Sequence, residues 1–263
     1  MSVRRNTLWR FSVLVLCLAA LLLTPRPASG APEMPVSLAE CAPEQNTFTT
    51  NINNTYFPLP VGRVWDYTGK EQGEEISLRI TVLDATETFH FKGQNVTTRV
   101  VKEVEWTDAD ADGEIDQIEL IEVSFNYFAQ TQTGPARGTV CYFGEDVEIY
   151  EEGEVVSNEG AWRADGRRGL PGIAPGVFMP ASPQPGMTFQ QEVAPGVAED
   201  QATVKHTGRT TLPDGTVANT ITVQDFNPLD GSRGTKVYAE GVGLIQDGPL
   251  RLISFTDPMQ ERR

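Results

Sequence analysis

From Tyr56 onward the chain breaks into short segments in which apolar and polar residues alternate, separated by Gly, Pro, Asn and Asp. Ile76-Ser-Leu-Arg-Ile-Thr-Val82 is the clearest, with apolar side chains on every second residue, the period of a half-buried strand. Alternation and β-branched or aromatic content predict further strands at 63–67, 96–106, 118–128, 138–143, 147–150, 154–158, 188–193, 202–211, 216–224, 234–238 and 244–255. Glu152-Gly153 and Asp214-Gly215 read as hairpin turns, and Asp230-Gly231 marks a longer one. Gly and Pro recur too often after residue 31 for long helices. Residues 166–186 form the longest irregular stretch, and loops of that length in a compact domain serve as lids or binding loops, or else are flexible. The pattern predicts an all-β chain: a single antiparallel curved sheet of roughly ten strands, half-barrel or barrel-like, curling to cover its apolar face.

The two ends read differently. Arg4, Arg5 and Arg10 precede an apolar run at 11–23, and Thr24-Pro-Arg-Pro-Ala-Ser-Gly30 follows as a breaker with small residues. This is the layout of a secretory signal over 1–30, with a core shorter than the about 20 residues a membrane span needs. The chain thus divides into the signal, an extended N-terminal segment at 31–55, a β domain at 56–256 and a tail at 257–263. The expectation is a secreted or periplasmic protein with no membrane span.

Charge narrows the partners. The chain carries a net charge of −15, and loss of four arginines with the signal leaves 17 basic and 36 acidic residues, a balance of −19. Nucleic acid is thereby excluded, because binding it requires Lys and Arg to neutralise phosphates. Of three cysteines, Cys17 lies in the signal. Cys41 and Cys141 remain, and in an oxidising compartment such a pair reads as a disulfide, with two buried thiols as the alternative.

One motif carries explicit chemistry. Asp108-Ala-Asp-Ala-Asp-Gly-Glu-Ile-Asp-Gln-Ile-Glu119 has the residue pattern of a twelve-residue calcium loop. Asp108, Asp110 and Asp112 fill the alternating ligand positions and Gly113 the sharp turn. Glu114 offers its carbonyl, Ile115 faces inward, Asp116 binds directly or through water, and Glu119 closes the site with two oxygens. An EF-hand would flank the loop with helices. Both arms are instead rich in Val, Ile, Thr, Phe and Tyr, which predicts a Ca²⁺ loop at the tip of a β-hairpin, and a charged turn that binds nothing is the bland alternative.

Other chemistry is sparse. His90 and His206 are far apart, and no HExxH, CxxC, nucleophile elbow or phosphate-cradling loop is present. Glu145, Asp146, Glu192, Glu199, Asp200 and Asp225 lie near predicted strand ends, where two of them could flank a glycosidic bond as hydrolases require. Turn caps and solvated acids are the simpler reading of them, since an acidic chain supplies such pairs by chance. Trp65, Trp106 and Trp162 read as core anchors.

Several runs together resemble a family of exported bacterial proteins of uncharacterised function. They are Tyr56-Phe-Pro-Leu-Pro-Val-Gly62 with Trp65 and Tyr67, Tyr142-Phe-Gly-Glu-Asp146, Glu159-Gly-Ala-Trp162 and Met179-Pro-Ala-Ser-Pro183. Gly186, Gln191-Glu192, Pro195-Gly-Val-Ala-Glu-Asp200 and Tyr238-Ala-Glu-Gly-Val-Gly-Leu-Ile245 complete the series. The resemblance implies one antiparallel β domain, similar to the curved half-barrels of periplasmic lipid carriers, and transfers no catalytic residue. Cys141 and the acidic loop depart from the family pattern. Three functions follow: an exported, non-enzymatic β protein with a calcium loop at 108–119; a carrier holding a small lipophilic ligand against the concave face under 166–186; and a carboxylate-dependent hydrolase. The balance leans away from an enzyme.

Overall fold

The structure is a computed structural model describing residues 33–71, 73–107 and 114–256. The signal at 1–30, the tail at 257–263 and loop positions Asp108, Asp110 and Asp112 lie outside the described residues. The strands are β1 (Met34–Pro35), β2 (Phe48–Thr49), β3 (Val64–Glu71), β4 (Glu74–Phe91), β5 (Gln94–Thr107), β6 (Leu120–Thr131), β7 (Val140–Glu151) and β8 (Glu154–Ser157). They continue with β9 (Trp162–Arg163), β10 (Gly176–Met179), β11 (Met187–Gln190), β12 (Gln201–Thr211), β13 (Val217–Phe226), β14 (Arg233–Ala239), β15 (Gly243–Asp247) and β16 (Leu250–Thr256).

All sixteen belong to one sheet, in the order β1-β11-β12-β13-β14-β15-β16-β3-β4-β5-β6-β7-β10, with β2 on β6 and both β8 and β9 on β7. Pairing is antiparallel except where β1 runs parallel to β11. The excess over roughly ten predicted strands comes from pieces such as β1, β2, β9 and β10, too short to show an alternating pattern. Residues 138–143 and 147–150 merge into β7, and 244–255 divides at Gly248-Pro249 into β15 and β16. Glu152 (φ 51°) and Gly153 (φ 80°) both adopt the left-handed conformation, as the predicted tight hairpin turn requires.

The sheet stays open, yet its edges approach one another. Ile173 N–H donates to Val193 O at 3.0 Å, and Gln191 Nε2 donates to Phe178 O at 3.5 Å, but no ladder joins β10 to β11. Inward-facing Trp65, Tyr67, Val82, Val101, Ile221, Val223 and Tyr238 form the main core. A smaller core of Val104, Trp106 and Val123 lies on the other side of β5 and β6, because alternate residues of a strand point to opposite faces. Trp65, Trp106 and Trp162 are all buried core anchors, as read from the sequence. Among the described residues, no helix is long and apolar enough to cross a membrane.

The segment at 31–55 is not simply extended. A 3₁₀ turn at Leu38–Cys41 is capped by Ser37, whose hydroxyl accepts from Ala39 N–H at 3.1 Å. Cys41 is bonded to Cys141 of β7, with Cα atoms 5.6 Å apart and both residues fully buried. The disulfide reading therefore holds, and the buried-thiol alternative falls.

Closing a loop across a sequence separation of 100 residues restricts the unfolded chain. In the chain-entropy model this stabilises by about 4.7 kcal/mol. The Cys41→Ser, Cys141→Ser double variant should therefore unfold about 10 °C or more below the parent, at about 2–4 °C per kcal/mol, as measured by circular dichroism on heating. A loss under about 2 °C would mean that strand pairing alone holds the N-terminal segment.

Candidate functional site: an acidic interior cavity

The curl of the sheet encloses a two-lobed cavity. One lobe, of about 180 Å³, takes its walls from strands far apart in sheet order: Trp65 and Tyr67 of β3, Ile80 of β4, Phe128 of β6, Tyr142 of β7, Phe178 of β10 and Tyr238 of β14. The second lobe, of about 320 Å³, lies among β3–β6 and the β14–β16 turns. Glu103, Glu122, Ser124 and Asp247 line both, so the lobes adjoin.

Strand alternation explains why acids face inward. On β5, Glu103 and Glu105 follow Val101 on the inner row, while Val104 and Trp106 point to the second core. On β6, Glu122, Ser124, Asn126 and Phe128 share the inner row. The face that reads as solvent-exposed in the sequence is thus the cavity wall.

Further acids arrive from other elements. Glu145 enters at a kink in β7 where Gly144 has φ 140°, and a Cβ there would collide with the Trp162 carbonyl. Glu192 and Asp200 come from the segment between β11 and β12, where Asp200 N–H donates to Glu192 Oε2 at 3.3 Å. Asp225 continues the row of Ile221 and Val223 on β13, buried beside Lys236 and outside the lining of both lobes. Lys236 faces it from β14, 3.4 Å from Asp225 Oδ2 and 3.5 Å from Asp247 Oδ2.

This crowding moves the acids together. Burial, reinforced by mutual repulsion, pushes Glu105 up to about 8. Burial raises Glu103 to about 7 despite the opposing pull of Lys236. Glu192 rises to about 7, through burial and the neighbouring Asp200, and Asp200 itself to about 6, chiefly through burial. Glu122 also rises through burial, and Glu145 well above the usual range through burial and Glu192. Lys236 is held firmly protonated, first by Asp247, and by Asp225 against its own burial.

Tyr142 Oη hydrogen-bonds the Asn126 side-chain oxygen and lies 3.0 Å from Glu145 Oε2. A phenol has one proton, so a protonated Glu145 satisfies both contacts by donating to Tyr142 while Tyr142 donates to Asn126.

The sequence-derived candidates separate. Glu145, Glu192 and Asp200 come together in the cavity. Asp146 points to the other face, where it accepts from Tyr127 Oη at 2.6 Å. Glu199 caps a turn, accepting from Gly196 N–H at 2.7 Å. Sequence reasoning missed Glu103, Glu105, Glu122, Lys236 and Asp247, and the signal that could have found them was the pairing of acidic rows on two neighbouring strands.

The calcium motif is described only in its second half. Its arms are strands β5 and β6, not EF-hand helices, and Gln117–Glu119 form a 3₁₀ turn with Glu119 N–H donating to Asp116 O at 3.0 Å. Gln117 Nε2 donates to Gly153 O at 2.8 Å, which joins this tip to the β7–β8 turn. Among the described residues, no group of three or more His, Cys, Asp or Glu side chains is arranged to hold a metal ion.

The chain matches no family model, no curated protein and no solved structure.

Raised carboxyl groups tie stability to pH. Where the folded chain holds protons that the unfolded chain releases, stability falls as pH rises. The contribution of Glu103, Glu105 and Glu192 is full below their ordinary value of 4.5, and it is lost as pH climbs through about 7 to 8. The melting temperature should therefore be higher at pH 5.5 than at pH 8.5, by roughly 4 °C or more. An equal or lower value at pH 5.5 would contradict this account of the cavity.

Proposed function

We propose that this chain is an exported binding protein that takes a small molecule into the interior of its curled sheet and does no chemistry on it. The observation that carries the reading is the pair of adjoining lobes walled by strands from distant parts of the sheet order. Its larger lobe, about 320 Å³, falls within the range of small-molecule pockets, about 300–1,000 Å³. Phe178 brings the 166–186 segment into the wall, where the carrier reading places the ligand.

Hydrolysis is less well supported. A carboxylate acid–base pair needs surroundings that drive the two groups apart in acidity. Here Glu103, Glu105, Glu122, Glu145, Glu192 and Asp200 are all displaced upward. A purely lipophilic ligand also fits poorly, because the aromatic wall faces an acidic one.

Calcium at residues 108–119 is the second part of the proposal. What favours it is the hairpin setting: strands on both sides, and a tip fastened to the β7–β8 turn through Gln117. The ion would bind Asp108, Asp110, Asp112, Asp116 and Glu119 with the Glu114 carbonyl, ordering that corner with the micromolar to millimolar affinity typical of exposed sites.

Native mass spectrometry of protein purified from its own source should show a bound mass that denaturation releases. Ser124→Trp, which fills the junction of the lobes, should abolish it while the circular dichroism spectrum is retained. A bare mass in the parent protein overturns the binding reading. Separately, millimolar Ca²⁺ should raise the melting temperature, and Asp108→Ala with Asp112→Ala should remove that rise. An unchanged melting temperature in the parent overturns the calcium assignment.

A further inference from the structure

We propose that the end of the β11–β12 hairpin, residues 191–200, is a pH-operated lid on the smaller lobe. It stays shut while Glu192 on the lid and Glu145 on the facing margin are protonated, and it moves away when both ionise. Its purpose, to admit and release the ligand, rests on the binding reading.

The lid is a separable piece of backbone. Beyond β11 the chain makes a narrow excursion closed on itself: Gln191 N–H donates to Asp200 O at 2.8 Å, and Ala194 and Ala198 exchange two hydrogen bonds of 2.9 Å. Its ties to the facing margin are few. Ile173 N–H donates to Val193 O at 3.0 Å, and Gln191 Nε2 reaches Phe178 O only at 3.5 Å. Gly176 lies so close to the Gln191 carbonyl that a Cβ there would collide with it. The seam is thus closed by fit and not by a ladder. Behind it the margins are fastened, because β1 lies beside β11 and Cys41 is bonded to Cys141 of β7. Movement is therefore confined to the hairpin end.

Acids oppose one another across the seam. The smaller lobe takes Gln191, Glu192 and Asp200 from the lid, and Tyr142, Glu145 and Phe178 from the facing margin. Residues 191–200 hold three acids, Glu192, Glu199 and Asp200, and no base. Glu145 has Glu192 before it, with Glu122 of β6 and Glu103 of β5 around it. Strand β10 brings no titratable side chain, and Arg163 of β9 is taken up by Glu87 and Asp165. Glu192 meets Asp200 of the lid, Asp225 of β13 and Lys236 of β14, the single base among these groups.

The closed form suits protonated acids on geometry alone. The Tyr142 hydroxyl touches both Asn126 and Glu145, contacts that a protonated Glu145 completes. Burial and then Glu192 raise Glu145 well above the usual range, while burial and Asp200 lift Glu192 to about 7. As pH climbs through that value and beyond, like charges accumulate on both sides of a seam that no ladder holds. Opening carries Glu192 and Asp200 into water, where their ionised forms are favoured.

Amide hydrogen exchange of the full protein, read by NMR as a protection factor against the unfolded rate at the same pH, separates lid from body. Between pH 5.5 and 8.5, protection at Ile173, whose N–H reaches the lid, should fall at least tenfold, while Ile80 and Val223 in central strands keep theirs. Glu145→Gln with Glu192→Gln, which removes the charges and keeps the shape, should hold Ile173 protected at pH 8.5. Glu192→Gln alone gives the same reading should the double variant fail to fold.

Unchanged protection at Ile173 in the parent protein overturns the lid. So does a loss shared equally by Ile80 and Val223, or one that persists in the folded variant. The binding reading is tested apart, by the bound mass. A seam that opens on a bare protein keeps the lid and loses the binding reading, and a retained mass behind an unresponsive seam does the reverse.

Discussion

The interaction on which this architecture turns is the aromatic cluster that gathers the sheet around its interior. Phe178 on edge strand β10 packs against Phe57, Phe128 and Tyr142, with ring centroids 4.6, 4.8 and 5.6 Å apart. Phe57 reaches across to Tyr238 of β14 at 6.3 Å, while Phe128 stacks on Tyr142 at 4.8 Å. Rings in such edge-on and offset arrangements add about 0.5–1.5 kcal/mol per pair beyond the area they bury. They draw β6, β7, β10 and β14 toward one another without a closing ladder. An acid-lined space at the core of a sheet tolerates its own repulsion only if something else fixes the curl, and this cluster supplies that.

A different device holds the side of β7 away from the cavity. Arg163 is almost fully buried, with its guanidinium 4.1 Å from the Phe89 ring centroid, 3.2 Å from Glu87 and 3.3 Å from Asp165. A buried charge persists where it is paired in this way.

Much of this was legible in the residues. The alternation of Ile76–Val82, the residue types of both arms around the acidic loop, and the left-handed turn at Glu152-Gly153 all read correctly because their causes are local. The Cys41–Cys141 bond followed from cysteine usage alone. The acidic cavity did not, for a physical reason: in Lys102-Glu-Val-Glu-Trp106 the apolar residues mark one face as buried, and the rule that charged residues face water assigns the other to solvent. That face meets a cavity, which a periodic pattern cannot distinguish from the outside. Glu145 and Asp146 show the same limit at a single step, since neighbours in sequence sit on opposite faces of β7.

The segment preceding β3 ties both margins of the sheet. Its first strand, β1, lies beside β11, and its later part is fixed to β6 through β2 and to β7 through Cys41. None of these anchors exists until residues 130–188 have been made, because the partners of Met34 and Pro35 are Met187 and Thr188. The portion of the β protein that leaves the ribosome earliest must wait, unattached, for a clasp that arrives more than 150 residues later. Assembly of this segment thus comes late, and the thiol of Cys41 must stay unpaired until the four long strands β3 to β6 have emerged.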